Sequence, residues 1–283
     1  MTVEEKMAEL VDRYGPWTYD IPLGNGVWTR GEDLPHTRLK RTLQMIQDQM
    51  PIADSRILDL GCLDGIFSIE CALQGAEVVG VDAREENIAK CEFAKTTLGL
   101  ERLSFVQDDV RNLGRESYGT FDTVICSGLL YHPDAPDVFA LLEAMHDVTR
   151  RLVVIDTHVS LTPTTTVTYS GQEYAGHFYD EGDASSTWAS YGNSRSFWLT
   201  RPSLTNAVAA VGFSSSYECL HPAHLNFGKP GLEHNDRCAF VAVRGDPVAL
   251  TTSPAANTLV ERWPEGALAY SAKKRSLISR LRS

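Results

Sequence analysis

The stretch Ile57-Leu58-Asp59-Leu60-Gly61-Cys62-Leu63-Asp64-Gly65-Ile66-Phe67 decides how this chain is read. An apolar run of strand length ends in an acid and two glycines, then gives way to residues 67–73 with helix-like apolar spacing. The pattern is a strand, a tight turn and the start of a helix. Gly61 and Gly65 let the backbone turn sharply and place no side chain between it and a bound small molecule. Asp64 stands near the helix N-terminus, where it can cap free N–H groups or accept from a cationic ligand.

A second strand, 77–81, ends in Asp82, about one βα unit after the first. An acid at that place is positioned to take both hydroxyls of a ribose. The turn is poorly built for a dinucleotide, because G-x-G-x-x-G is absent and Leu63 and Asp64 stand where a pyrophosphate wants bare backbone. A cationic, phosphate-free adenosine fits better.

These residues, with Gln107-Asp108-Asp109-Val110 and Phe121-Asp122-Thr123-Val124-Ile125-Cys126, resemble the successive motifs of class I S-adenosylmethionine (SAM)-dependent methyltransferases. The likeness spans residues 55–157, with Leu63 in place of the family's middle glycine. It implies that Asp59, Gly61, Asp64 and Gly65 wrap the methionine part of SAM, Asp82 holds the ribose and Asp109 meets the adenine amine. Ala83, Val110 and Ser127 complete the expected cofactor set. A narrower likeness runs through residues 21–31, 58–61, 64–67 and Gly128-Leu129-Leu130-Tyr131-His132-Pro133. These are similar to a methyltransferase branch related to the enzymes that modify the wobble uridine of tRNA. Some relatives there use a carboxylated SAM, and Tyr131 and Arg237 look like partial matches to the groups that hold its extra carboxylate.

The chain has 283 residues, 43% of them hydrophobic, which suffices for a sizeable core. No apolar run approaches the roughly 20 residues needed to span a bilayer, and the acidic, amphipathic start is unlike a leader, so a cytoplasmic protein is expected. The six cysteines are scattered without C-x-x-C pairs, as buried free thiols would be. A net charge of −11 disfavours a polyanionic partner such as nucleic acid. A homodimer is compatible with the sequence.

Taken in order, residues 1–50 read as a cap helix, a glycine-rich segment with Trp17 and Trp28, and a flanking helix. The glycine-rich segment is either a surface hairpin with an Asn25-Gly26 turn or a lid. Regular βα alternation through 51–157 predicts an α/β, Rossmann-like, doubly wound and mostly parallel sheet; the resemblance implies seven strands with an antiparallel end. Residues 158–200 break the pattern and read as an aromatic substrate cap, carrying His177, Trp188 and Trp198. Residues 201–245 complete the sheet. Residues 246–283 read as a surface tail ending in a basic amphipathic stretch.

Methyl transfer to a hydroxyl requires alignment, exclusion of water and a base near the strand ends. His158, with Asp156 two residues before it as its orienting acid, and His132 occupy such places; each is equally explained as a structural histidine. Asp156, His158, His234 and Asp236 offer a divalent-metal alternative, which their lack of compact spacing disfavours. Trp28, Tyr131, His177, Trp188, Trp198 and Arg237 are the expected substrate contacts. Aromatic faces stack on sugars and planar rings, and residues 158–193 carry acids but no Lys or Arg. The expected acceptor is a hydroxylated small molecule: a glycoside, glycolipid precursor or secondary metabolite.

Overall fold

The computed structural model describes residues 2–31, 36–182, 189–219 and 236–245. The chain divides into two compact units, Met1–Gly245 and Asp246–Ser283, and the second lies outside the described residues, as do the tail and basic terminal stretch expected there. The first unit begins with α1 (Val3–Tyr14), the hairpin β1 (Pro22–Gly24) and β2 (Val27–Trp28), and α2 (Thr37–Gln47). The alternating core follows: β3 (Arg56–Leu60), α3 (Ile66–Leu73), β4 (Glu77–Asp82), α4 (Glu85–Leu98), β5 (Leu103–Gln107), α5 (Arg115–Tyr118), β6 (Phe121–Ser127), α6 (Asp137–Val148) and β7 (Thr149–His158). Then come β8 (Thr165–Tyr169), β9 (Gln172–Asp180), β10 (Arg195–Leu199), α7 (Arg201–Ala210), β11 (Ser215–Glu218) and β12 (Arg237–Val243).

The main sheet has the order β11-β12-β7-β6-β3-β4-β5. β3 to β7 run parallel, and β12 and β11 add the antiparallel end. This is the expected seven-stranded, doubly wound arrangement. The chain winds outward from β3 to β5 and then returns to place β6 on the other side of β3, so the strand order reverses between β3 and β6. In open α/β sheets, ligands bind in the crevice at such a reversal, outside the carboxyl ends of the strands. Here those ends are Leu60-Gly61 and Ser127-Gly128.

Central strands covered on both faces read as continuous apolar runs, and Ile57, Leu58, Val124, Ile125, Val153, Val154 and Ile155 are all fully buried. One apolar cluster joins β6, α6 and α7; the other joins α2, α3 and the N-terminal segment. Trp17 belongs to the second at 1% exposure, a core anchor rather than a mobile lid residue. The Asn25-Gly26 turn has positive φ at both residues, the type I′ geometry that suits a tight hairpin.

The cap departs from the expected irregular segment. It is a three-stranded antiparallel sheet, β10-β9-β8, with positive φ at Ser170 and Gly171 closing β8 onto β9. Its strands carry the signal in β-branched and aromatic residues, Thr165-Thr166-Val167-Thr168-Tyr169 and Phe197-Trp198. Phe139 of α6 clamps this sheet to the core, stacking on Tyr169 at 4.7 Å and meeting Tyr174 at 4.8 Å and Phe197 at 6.5 Å.

Candidate active site

A cavity of about 770 Å³, counted with its open mouth, lies at the strand-order reversal. Gly61, Leu63, Asp82, Ala83, Asp109 and Val110 line it, as do Gly128 and Leu129. Five of the nine expected cofactor residues, Gly61, Asp82, Ala83, Asp109 and Val110, therefore meet around one space. Asp82, 7% exposed, accepts from Leu63 N (2.9 Å) on one oxygen and from Arg84 N and Asn87 Nδ2 (both 3.0 Å) on the other. Its bond to Leu63 fixes the turn: Leu63 has φ +55°, a left-handed conformation costing a non-glycine residue roughly 1–2 kcal/mol.

The other four, Asp59, Asp64, Gly65 and Ser127, are not among the cavity's lining residues. Asp59 is buried and accepts from Ser68 Oγ at 2.6 Å; burial raises its carboxyl to about 7. Asp64 accepts from Thr18 N (2.6 Å) and Tyr19 N (2.9 Å), tying the N-terminal segment to the glycine turn. Burial lifts it to about 7 as well, and its Oδ1 is buried without a partner. Gly65, with φ +88°, opens α3 and packs against Cys91 and Phe105, so closely that an added Cβ would lie 3.0 Å from each. Ser127 Oγ at the end of β6 is also buried and unpartnered. Asp109 is engaged by Arg111, whose Nε donates to it at 2.9 and 3.0 Å.

The cavity's roof was not legible as such in the sequence. Ala189, Ser190, Tyr191 and Asn193, from the connection between β9 and β10, lie over it. Arg84 Nη2 donates to Ala189 O (3.1 Å) and its guanidinium sits 5.6 Å from the Tyr191 ring. Glu181 pairs with His132 Nδ1 (3.2 Å) and accepts from Ser190 N (2.9 Å), while Ser190 Oγ and Asn193 Nδ2 donate to His132 O. His132 is thus built into the roof's anchorage, with Nδ1 committed to a carboxylate. Trp188 lies outside the described residues. Trp28 is 43% exposed on β2 and is not among the cavity's lining residues.

The second group of expected residues meets beyond Gly128. Asp156 is fully buried and does not orient His158. Arg41 holds one of its oxygens, and Arg237 Nε donates to the other at 2.7 Å. The partner of His158 is Asp236, whose Oδ2 lies 3.0 Å from Nδ1. The cross-strand register explains the exchange: β12 pairs antiparallel with β7, setting Arg237 opposite His158 and Ala239 opposite Asp156. Arg237 Nη1 lies 3.2 Å from His158 Nε2. A guanidinium only donates, so Nε2 is the acceptor and Nδ1 carries the proton given to Asp236. Burial and the charge of Arg237 hold His158 below its usual range, so its ring is neutral at pH 7.

Tyr131 meets His158 edge-on at 4.8 Å. Trp198 stacks on His158 (5.1 Å) and on Tyr179 (4.6 Å). His177 accompanies Trp198 at 5.3 Å and pairs with Ser160 Oγ at 2.7 Å. The metal alternative finds little support in this donor set, since Asp156 is saturated by arginines and His234 lies outside the described residues. No group of three or more His, Cys, Asp or Glu side chains converges among the described residues. Among them, too, no helix is long and apolar enough to cross a membrane.

Residues 57–151 match the family described as a methyltransferase domain. The chain is 32% identical over 105 residues to the ubiquinone biosynthesis O-methyltransferase of Azotobacter vinelandii, covering 37% of this chain and 44% of that one. It is 30% identical over 140 residues to the enzyme of the same name from Xanthomonas euvesicatoria pv. vesicatoria, covering 50% and 53%. The chain thus spans about half the length of the curated relatives it matches. Among solved structures, the N-terminal domain of EvdMO1 with S-adenosylhomocysteine (SAH) bound superposes with a TM-score of 0.68 at 24% identity, over 87% of this chain and 98% of that one. The same domain in the presence of SAH and D-fucose gives 0.67. Residues 57–151 are thus similar to a methyltransferase-domain family, and the chain shares the Rossmann-like fold of the EvdMO1 N-terminal domain.

Proposed function

We propose that this protein is a SAM-dependent O-methyltransferase that methylates a hydroxyl of a small, sugar-like or secondary-metabolite acceptor. One observation carries the reading: Gly128, which lines the cavity holding Asp82, lies against Arg237, and Arg237 contacts His158. An adenosine site and a base-bearing site therefore adjoin at the strand-order reversal. The residues fit SAM, with an acid, Asp82, at the ribose position on the cavity's lining. Support comes also from the names of the O-methyltransferase relatives and from the EvdMO1 domain studied with SAH and D-fucose.

SAM, when bound, supplies the methyl group as an electrophile on a sulfonium. This chain's residues exclude water through the roof 189–193, align the acceptor against Tyr131 and take up its hydroxyl proton. His158 is in the charge state for that task. Its Nε2 becomes available when Arg237 Nη1 turns to the acceptor, and Asp236 stabilises the imidazolium that forms. The test is transfer of isotopically labelled methyl from SAM to a panel of neutral and acidic sugars, glycosides and phenols. The reading expects a labelled ether on at least one; incorporation into tRNA alone would contradict it.

The wobble-uridine branch supplies a second reading, favoured by the adjacency of Tyr131 and Arg237 that its resemblance implied. It predicts tRNA binding that weakens steeply with salt. The net charge of −11 weighs against it.

A further inference from the structure

A single buried carboxylate ties together two parts of the molecule that the mechanism uses separately. Glu181 stands one residue past β9, and its side chain is 4% exposed. Side chains two apart on a strand share a face, so Glu181 continues the face of His177 and Tyr179. On that face β10 sets Trp198 opposite His177 and Ser196 opposite Tyr179, which leaves Glu181 diagonally across from Ser196.

Toward the cofactor cavity, Glu181 Oε2 accepts from Ser190 N (2.9 Å) and lies 3.2 Å from His132 Nδ1, and both of those residues line the cavity. Toward the base, Ser196 hydrogen-bonds to the same carboxylate and accepts from Trp198 Nε1 at 3.1 Å. A carboxylate only accepts and a hydroxyl has one proton, so the chain has one direction: Trp198 donates to Ser196, and Ser196 to Glu181. Trp198 in turn stacks on His158 at 5.1 Å. Neither Ser196 nor Trp198 is among the cavity's lining residues. Burial pushes the Glu181 carboxyl up, but the hydrogen bonds of His132 and Ser196 outweigh it and hold the group below its ordinary range, an anion at pH 7. A buried anion is costly unless its acceptor sites are filled. Its donors here come from the segment after β6, from the roof and from β10, so a shift of the roof donor obliges the others to follow or to leave the carboxylate underpaired.

We infer that Glu181 is a positioning residue that couples the roof over the cofactor to the wall bearing His158, so that filling the cavity sets the base. This rests on the proposed function. Methyl transfer needs donor, acceptor and base aligned together, and the coupling brings the base into line when the methyl donor is in place. By linkage, an acceptor held against the wall tightens the cofactor by the same factor as the cofactor tightens the acceptor.

The test follows the Trp198 indole N–H by heteronuclear NMR during titration with SAH, its signal identified by its loss in Trp198→Phe. Wild type, Glu181→Gln and Ser196→Ala are compared, with thermal melts to establish folding and calorimetry to fix a saturating SAH concentration. Glu181→Gln keeps Ser196 as the indole's acceptor, and Ser196→Ala keeps the hold of Glu181 on Ser190, so the chain is cut at two different places. SAH should shift the Trp198 signal in wild type, and at saturation that shift should shrink at least threefold in each variant. A merely structural Glu181 would lower the melting temperature and leave the SAH-induced shift intact. Absence of a shift in SAH-saturated wild type, or a shift of wild-type size in either folded variant, overturns the coupling. Failure of wild type to bind SAH overturns the proposed function instead, a distinct result.

Discussion

His158 shows how a single side chain's role depends on its surroundings. Its ring is held by Asp236 and Arg237 and stacked on Trp198, and its neutral state suits a base. His158→Ala should lower single-turnover methyl transfer by roughly 10²–10⁴-fold with SAH affinity unchanged. The wild-type rate should fall on the acid side with an inflection below the usual histidine value. Asp236→Asn should move that inflection lower still, because the carboxylate favours the protonated ring, and should reduce the plateau. A pH–rate profile of both proteins measures this. Asp59 supplies a second residue-scale test. Its folded-state value of about 7 lies above the ordinary carboxylate range. The folded protein therefore binds more protons than the unfolded chain between about pH 4 and 7, and this group's contribution to stability falls as pH rises through that window. Asp59→Asn, which cannot ionise, should raise the melting temperature relative to wild type more at pH 8 than at pH 5.

At the scale of elements, the sequence disclosed the alternating core because its signals are local: apolar runs ending in acids, with turns between them. It placed Asp82 at a strand end by spacing, and the resemblance added Asp109 and Ser127. It mistook the partner of His158, because the nearest acid in the chain, Asp156, is turned away by the strand and Asp236 arrives from β12 across the sheet. Such a neighbour depends on antiparallel register, which no short window contains. The roof was missed for the same reason, since 189–193 reaches the cavity only through the β9–β10 pairing. Asn193 Nδ2 ties that roof to His132 O and Arg195 O. Hydrogen exchange at 189–193 should therefore slow when SAH binds, and Asn193→Ala should hasten it in the free protein. Residues 17–31, anchored by Asp64 and by buried Trp17, should respond less. A larger effect there would return the lid to the N-terminal segment.

For the described unit as a whole, the cap and the sheet share one apolar cluster, through Phe139. Phe139→Ala should cost about 3–5 kcal/mol in denaturant unfolding, the usual range for a buried aromatic truncated in a core. Tyr169 and Tyr174 would lose their support, so proteolysis of the cap should accelerate along with global unfolding. A cap cleaved at an unchanged rate would mean that it folds independently of the sheet.

The central claim is an adenosine-bearing cofactor at the reversal of strand order, held by the acid that ends β4. Titration calorimetry of SAH into wild type and Asp82→Ala tests it most directly. One SAH should bind per chain, and the variant should bind roughly 10–100-fold more weakly, since charge-assisted hydrogen bonds contribute about 1.5–3 kcal/mol. Absence of binding to wild type, or equal affinity in a folded Asp82→Ala, would contradict the account.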